Sequence, residues 1–157
     1  CFMYYCFAFN KPLIISYVTV INSGFLRGAG SVSEVMQFNQ PLDLSKVTTI
    51  GSAFLDRCRC YDQDVVLPST ITYIGNNFMS DMRDMVHTVY CNTSALPGRT
   101  YTSQTQYSLC TYGNDHATAP SYVTGIKISG TYKNEWRAEC PDSQGGGMNL
   151  FRKLIVG

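Results

Sequence analysis

The sequence predicts a mainly β chain in which short, near-identical units stack on one another as the rungs of a solenoid. About three full units and a partial one fill residues 1–87, and a small β-rich module follows over 88–157. Two observations carry this reading. First, FNKPLIISYVTVINSGFL (residues 9–26) and FNQPLDLSKVTTIGSAFL (residues 38–55) align without a gap and agree at eleven of eighteen positions. Second, a third copy, YDQDVVLPSTITYIGNNFM (residues 61–79), repeats the pattern with one extra residue near Pro68. Repetition at a fixed period is the mark of a stacked architecture, because a unit this short cannot bury its apolar face alone.

Each copy opens on an aromatic (Phe9, Phe38, Tyr61) followed by Asn10, Asn39 or Asp62. An apolar alternation comes next: Leu13 and Ile15, Leu42 and Leu44, Val65 and Leu67. Residues two apart on a strand share a face, so these pairs point inward, while Ile14, Asp43 and Val66 point outward. A Val-Thr-x-Ile or Ile-Thr-x-Ile element then ends at Ile21, Ile50 and Ile74. The following Asn22, Gly51 or Gly75 is of a type that tolerates positive φ, which places a chain turn there. Phe25, Phe54 and Phe78, each followed by Leu or Met, close the unit.

The spacers extend the pattern. Five residues separate Leu55 from Tyr61 and five separate Met3 from Phe9, so Phe2-Met3 reads as the closing pair of an earlier copy. The chain thus begins inside a repeat, and a fragment or a processed product is expected. The middle spacer, RGAGSVSEVMQ, is longer and carries Gly28 and Gly30, which predicts a loop bulging from the stack. In the stack Asn10, Asn39 and Asp62 align as a ladder whose side chains satisfy backbone groups at the turn. Cys6 and Cys58 are expected inside it as small apolar plugs.

The repeated residues Phe38-Asn39-Gln40-Pro41-Leu42, Val47-Thr48-Thr49-Ile50-Gly51, Ala53-Phe54 and then Cys58 resemble the BspA-type (Treponema pallidum-type) leucine-rich repeats. The resemblance covers roughly residues 2–85. It implies a leucine-rich-repeat solenoid with an extracellular home, on a bacterial cell surface or in a virion. Relatives act as adhesins or recognition surfaces, and none of their motifs is catalytic. The contact surface expected from the outward positions comprises Lys11, Ile14, Gln40, Asp43, Gln63 and Val66. Partners would be a protein or glycan on a host or neighbouring cell. The alternative is a phage virion component, a fibre, tail or decoration protein, contacting the host or neighbouring subunits, with homo-oligomerisation open in either case.

Composition narrows the function classes. Twelve basic and eleven acidic residues nearly cancel, which argues against broad capture of nucleic acid or an anionic membrane. No apolar run approaches the roughly 20 residues that span a bilayer, and the apolar start CFMYYCFAF lacks the charged region and cleavage site of a signal peptide. Seven cysteines are many for 157 residues. Cys91, Cys110 and Cys140, outside the repeats, are the expected candidates for bridging. Asn92-Thr93-Ser94 is a glycosylation sequon, a weak pattern.

Reactive chemistry finds little support, so neither an enzyme nor a cofactor is expected. Cys58-Arg59-Cys60 lacks the second ligand pair that zinc wants. His87, Cys91, Asp115 and His116 admit a Cys/His hydrolase on paper, without a nucleophile signature. Gly145 to Gly147 lack the Lys-Ser/Thr of a phosphate loop, and Arg137, Arg152 and Lys153 are too sparse for nucleic acid. Eleven tyrosines suit an adaptable contact surface or half-buried β positions equally. In the second half, Met82, Met85 and Val86 are expected to cover the last unit, with a short helix at 80–85. Strands are expected at 100–112 and 122–132, with Val123, Ile126, Ile128 and Tyr132 in a small core. A helix at 133–139, a glycine turn at 144–147 and a strand at 151–156 complete the expectation.

Overall fold

The computed structural model describes residues 2–28, 35–80, 88–101, 105–107 and 127–139. These residues are mainly β. In chain order they form β1 (Val20–Ile21), β2 (Thr49–Ile50), β3 (Val65–Leu67), β4 (Tyr73–Ile74), β5 (Thr88–Cys91), β6 (Arg99–Tyr101), β7 (Thr105–Tyr107), β8 (Lys127–Ser129) and one helix, α1 (Lys133–Glu139). No helix among them is long and apolar enough to cross a membrane.

The copies lie one on another in register. Sheet β1-β2-β4 is parallel and pairs Ile21 with Ile50 and Ile50 with Ile74, the closing isoleucines of the three Val/Ile-Thr-x-Ile elements. Thr48 N donates to Thr19 O at 2.7 Å and Thr72 N to Thr48 O at 2.9 Å. The threonine hydroxyls of Thr48 and Thr72 donate to the same two carbonyls. This explains why Thr recurs before the variable position: its Oγ1 adds a second bond to the layer behind. Each copy is hereafter a layer.

Two aromatic columns run through the layers. Phe9, Phe38 and Tyr61 stack at 5.9 Å between successive ring centroids. Phe2, Phe25, Phe54 and Phe78 stack at 5.4, 5.7 and 5.5 Å, with planes within 10° of parallel. Phe2 therefore occupies the place of a closing Phe, and residues 2–7 form a half-layer over the first closing turn. Leu26 N donates to Phe2 O at 3.0 Å, as Leu55 N does to Phe25 O one layer on. Ile15, Leu44 and Leu67 are buried, as are Val47 and Ile71; Val65 is buried, whereas Leu13 and Leu42 are only half-buried.

The closing turn differs from expectation. Positive φ falls not on Asn22, Gly51 or Gly75 but two residues later, at Gly24 (76°), Ala53 (59°) and Asn77 (55°), and again at Leu26, Leu55 and Met79. Alternating left-handed residues turn the N–H groups alternately toward the two neighbouring layers. Ala53 N bonds forward to Asn76 O at 2.7 Å and Leu55 N bonds backward to Phe25 O at 3.0 Å. Gly51 and Gly75 are needed for another reason, close approach. A Cβ on Gly51 would stand 2.5 Å from Ser23 N, and one on Gly75 the same distance from Ser52 N.

The layering continues past residue 87. β5 pairs parallel with β3, setting Val89 against Val65 and Cys91 against Leu67, and β8 pairs parallel with β5. Pro97 bridges Ile74, and Gly98 N donates to Ile74 O at 3.0 Å, the place that Gly75 holds against Ile50. Residues 88–98 are thus a fourth layer on the side where a separate module was expected. Trp136 of α1 closes that side. Its ring meets Phe78 edge-on at 6.1 Å and its Nε1 donates to Thr93 O at 3.3 Å. The expected helix at 133–139 is α1, and Ile128 and Tyr132 pack half-buried against the core. β6 and β7 form an antiparallel ribbon. Met82, Met85, Val86, Val123, Ile126 and the turn and strand expected at 144–147 and 151–156 lie outside the described residues.

The long spacer is partly core. Residues 29–34, Gly30 among them, lie outside the described residues, but Met36 is fully buried and Gln37 N donates to Phe7 O at 2.8 Å. At its other end Gly28 N donates to Asp56 O at 2.7 Å. Only the middle of RGAGSVSEVMQ is left for a bulge.

Candidate interaction surface

The asparagine column bonds each layer to the next. Asn10 Oδ1 accepts from Asn39 N at 2.9 Å and from Gln40 Nε2 at 3.0 Å. Asn39 Oδ1 accepts from Asp62 N at 2.8 Å and from Gln63 Nε2 at 3.0 Å. Asp64 Oδ1 takes Thr88 N at 2.8 Å. An amide oxygen at this corner meets two donors of the following layer, so its geometry serves the stack. It also corrects the contact surface. Gln40 and Gln63 are half-buried and their carboxamide nitrogens bond within the ladder.

Lys11, Ile14, Asp43 and Val66 are exposed, Ile14 at 88 % and Val66 at 51 %. Ile14, Asp43 and Val66 hold equivalent places in three layers, and Tyr90 continues the column opposite Val66. Asp43 Oδ1 accepts from Ser45 N at 3.0 Å. Hydrogen bonds from Ser45, then the Lys46 charge, hold its carboxyl below the ordinary value. That column is apolar, anionic, apolar and aromatic in turn.

A second outward column was not anticipated. Val20, Thr49 and Tyr73 face away from the core on β1, β2 and β4, with Val20 50 % and Tyr73 56 % exposed. At the corner before it, Tyr17 is 88 % exposed. The signal was present in the motif itself. In Val/Ile-Thr-x-Ile only x varies in chemistry, and on a strand the residue beside a buried Ile must point out.

A polar column crosses the opposite corner. Tyr4, Arg27, Asp56 and Ser80 follow the closing pairs Met3, Leu26, Leu55 and Met79 in their layers. The Arg27 guanidinium lies 5.6 Å from the Tyr4 ring centroid, and its Nε donates to Asp56 Oδ2 at 3.0 Å. Ser80 Oγ donates to the other carboxylate oxygen. Burial pushes the Asp56 carboxyl up from its ordinary value, opposed by the Ser80 hydrogen bond and by the charges of Arg57 and Arg27. Satisfied on both oxygens, the carboxylate ties three layers together.

The thiols divide by depth. Cys58 is fully buried with Sγ 3.6 Å from Phe38 O, and burial, then the neighbouring Cys60, pushes its pKa up to about 12. Cys6 was expected in the same setting but is exposed, since no further described layer covers its side of the stack. Cys91, expected to be bridged, is a buried free thiol pushed up by burial. A nucleophilic cysteine needs a lowered pKa and access; Cys91 has neither. Cys110, Cys140, His87, Asp115, His116, Arg152 and Lys153 lie outside the described residues. The sequon is engaged in the fold: Asn92 Oδ1 accepts from Thr131 N at 3.1 Å, and the buried Thr93 hydroxyl donates to Ile71 O at 2.6 Å.

No protein-family model matches the chain, and neither a curated protein nor a solved structure is significantly similar to it.

Proposed function

We propose that the chain is a non-enzymatic, surface-exposed recognition module, a solenoid of BspA-type leucine-rich repeats whose outward columns meet a protein or glycan of another cell. One observation carries the reading. The residue types that recur in every copy are consumed between layers, while the outward positions vary freely in chemistry. Ile14, Asp43 and Val66, and Val20, Thr49 and Tyr73, change from apolar to charged, polar or aromatic without touching the stack. A scaffold with an independent surface suits recognition, as conserved framework and variable contacts do elsewhere.

Binding of the purified chain to a printed glycan array and to immobilised cell-surface proteins tests this reading. Asp43→Lys, Val66→Asp and Tyr73→Ser should each weaken the signal at least tenfold while the melting temperature stays within a few degrees. A chain that binds nothing on either surface, or variants that bind as the parent does, would refute it.

A further inference from the structure

The sequon Asn92-Thr93-Ser94 sits inside the stack rather than on it. On one side it is bound to the third layer: Asn92 N donates to Leu67 O at 3.1 Å and the Thr93 hydroxyl to Ile71 O at 2.6 Å. On the other it is bound to residues 127–139, which lie over the fourth layer. Asn92 Oδ1 accepts from Thr131 N at 3.1 Å, Tyr132 N donates to Cys91 O at 2.9 Å, and Trp136 Nε1 donates to Thr93 O at 3.3 Å. Thr93 is 1 % exposed and Asn92 half-buried, while Ser94 is exposed. The fit is tightest at the turn made by Gly130, whose φ is 95°. A Cβ there would stand 2.7 Å from Cys91 N and 2.8 Å from Asn92 Oδ1.

We propose that Asn92 is an N-glycosylation site governed by residues 127–139: closed while they are docked, and open to an N-linked oligosaccharide once they lift away. In the transfer, Asn92 Nδ2 attacks the anomeric carbon of an oligosaccharide carried on a lipid pyrophosphate. The C–N bond forms as the C–O bond to the pyrophosphate breaks, the pyrophosphate leaves with the electron pair, and one amide proton is lost. The asparagine must reach the transferase together with the hydroxyl two residues on, here Ser94, and that takes a surface segment able to leave the fold. With residues 127–139 docked, Thr93 is held between two layers and the sequon cannot leave. With them undocked, the fourth layer loses its bonds on that side and can fray, because the terminal unit of a stack opens more readily than the whole chain unfolds. The modification is then self-maintaining. A sugar on the carboxamide that holds Thr131 and abuts Gly130 keeps residues 127–139 from returning. The inference stands apart from the recognition reading, which concerns the outward columns.

The full chain, incubated with a purified oligosaccharyltransferase and its lipid-pyrophosphate-linked oligosaccharide, tests this, with occupancy of Asn92 read by mass spectrometry. Gly130→Val forces the turn off the fourth layer, and emission of Trp136 reports whether it has undocked. Resistance of Cys58 to brief iodoacetamide labelling shows that the earlier layers persist. Trp136→Ala is the second opening variant, used in place of the first if Gly130→Val exposes Cys58. The opened variant should be modified about tenfold faster than the parent or more, as local opening limits the parent. Any product formed slowly from the parent should show Trp136 emission shifted toward that of an exposed indole. A parent modified at Asn92 as fast as the opened variant overturns the proposal. So does an opened variant that stays as unmodified as the parent, or a glycosylated parent with Trp136 still buried.

Discussion

Gly75→Ala isolates the contact between layers from every other feature of the fold. The φ of Gly75 is not in the left-handed region, so alanine meets no backbone strain there. Its Cβ, however, would stand 2.5 Å from Ser52 N, 2.7 Å from Ser52 Oγ and 2.8 Å from Gly51 C. Two of these are backbone atoms of the neighbouring layer, which cannot swing aside as a side chain could. Overpacking of this kind costs about 1–3 kcal/mol. Prising the layers apart would also stretch the bond from Gly75 N to Ile50 O, now 2.8 Å. Such a bond contributes about 1 kcal/mol. Against this, alanine restricts the unfolded chain and returns about 0.4–1 kcal/mol. The net loss is about 2–3 kcal/mol, a fall in melting temperature of roughly 5–10 °C for a chain of this size. Urea titration followed by fluorescence of Trp136, the chain's single tryptophan, measures it. A variant within about 0.5 kcal/mol of the parent, or one more stable, would show that the layers are not this close.

Other outcomes follow from the same geometry. Ala53→Gly removes a non-glycine residue from φ 59°; the about 1–2 kcal/mol of left-handed cost it relieves is offset by glycine's entropy and by about 0.8 kcal/mol for the buried methyl group, so a change within about 0.5 kcal/mol is expected by urea titration. Phe54→Ala deletes a ring stacked on both sides at 5.7 and 5.5 Å. It should cost about 3–5 kcal/mol and leave most of the chain unfolded at 37 °C by circular dichroism. The Asp56 carboxyl is raised in the folded state, so its contribution to stability is fully present below the ordinary carboxylate value of 3.8 and is lost as pH rises through the folded value. The stability difference between parent and Asp56→Asn should therefore shift against the parent over that window, and a difference flat in pH would contradict the buried carboxyl. Brief iodoacetamide labelling at pH 8, mapped by mass spectrometry, should modify Cys6 and spare Cys58 and Cys91. Rapid labelling of Cys58 would exclude its place in the stack.

Much of the layering was legible because the repeat constrains each position several times over. Phe25, Phe54 and Phe78 close three successive copies, and identical residues at equivalent places of a repeat can share one environment only by stacking. The Asn10–Asn39–Asp62 corner could be read for the same reason. What escaped were features that depend on backbone twist within a layer. Glycine after Ile50 and Ile74 admits two explanations, a left-handed turn or a close approach, and the residue type alone does not separate them. Ala53 and Leu55 carry the left-handed conformations instead, which their chemistry does not advertise. The fourth layer hid because Cys91, Thr93, Ala95 and Pro97 replace the bulky residues of earlier copies. Only Val89 and Gly98 keep the pattern, too little to find by eye. The polar column was missed because its four members, Tyr4, Arg27, Asp56 and Ser80, share no chemistry. They share only a place after the closing pair. Among the outward residues, Gln40 and Gln63 looked free because their partners lie in another layer.

Nuclear Overhauser contacts among isoleucine methyl groups in a selectively labelled sample test the layered architecture most directly. With neighbouring strands about 4.8 Å apart, Ile50 should show strong contacts to both Ile21 and Ile74, with Ile21 and Ile74 far weaker to each other. Strong contact between Ile21 and Ile74, or none from Ile50 to either, would contradict the layered account.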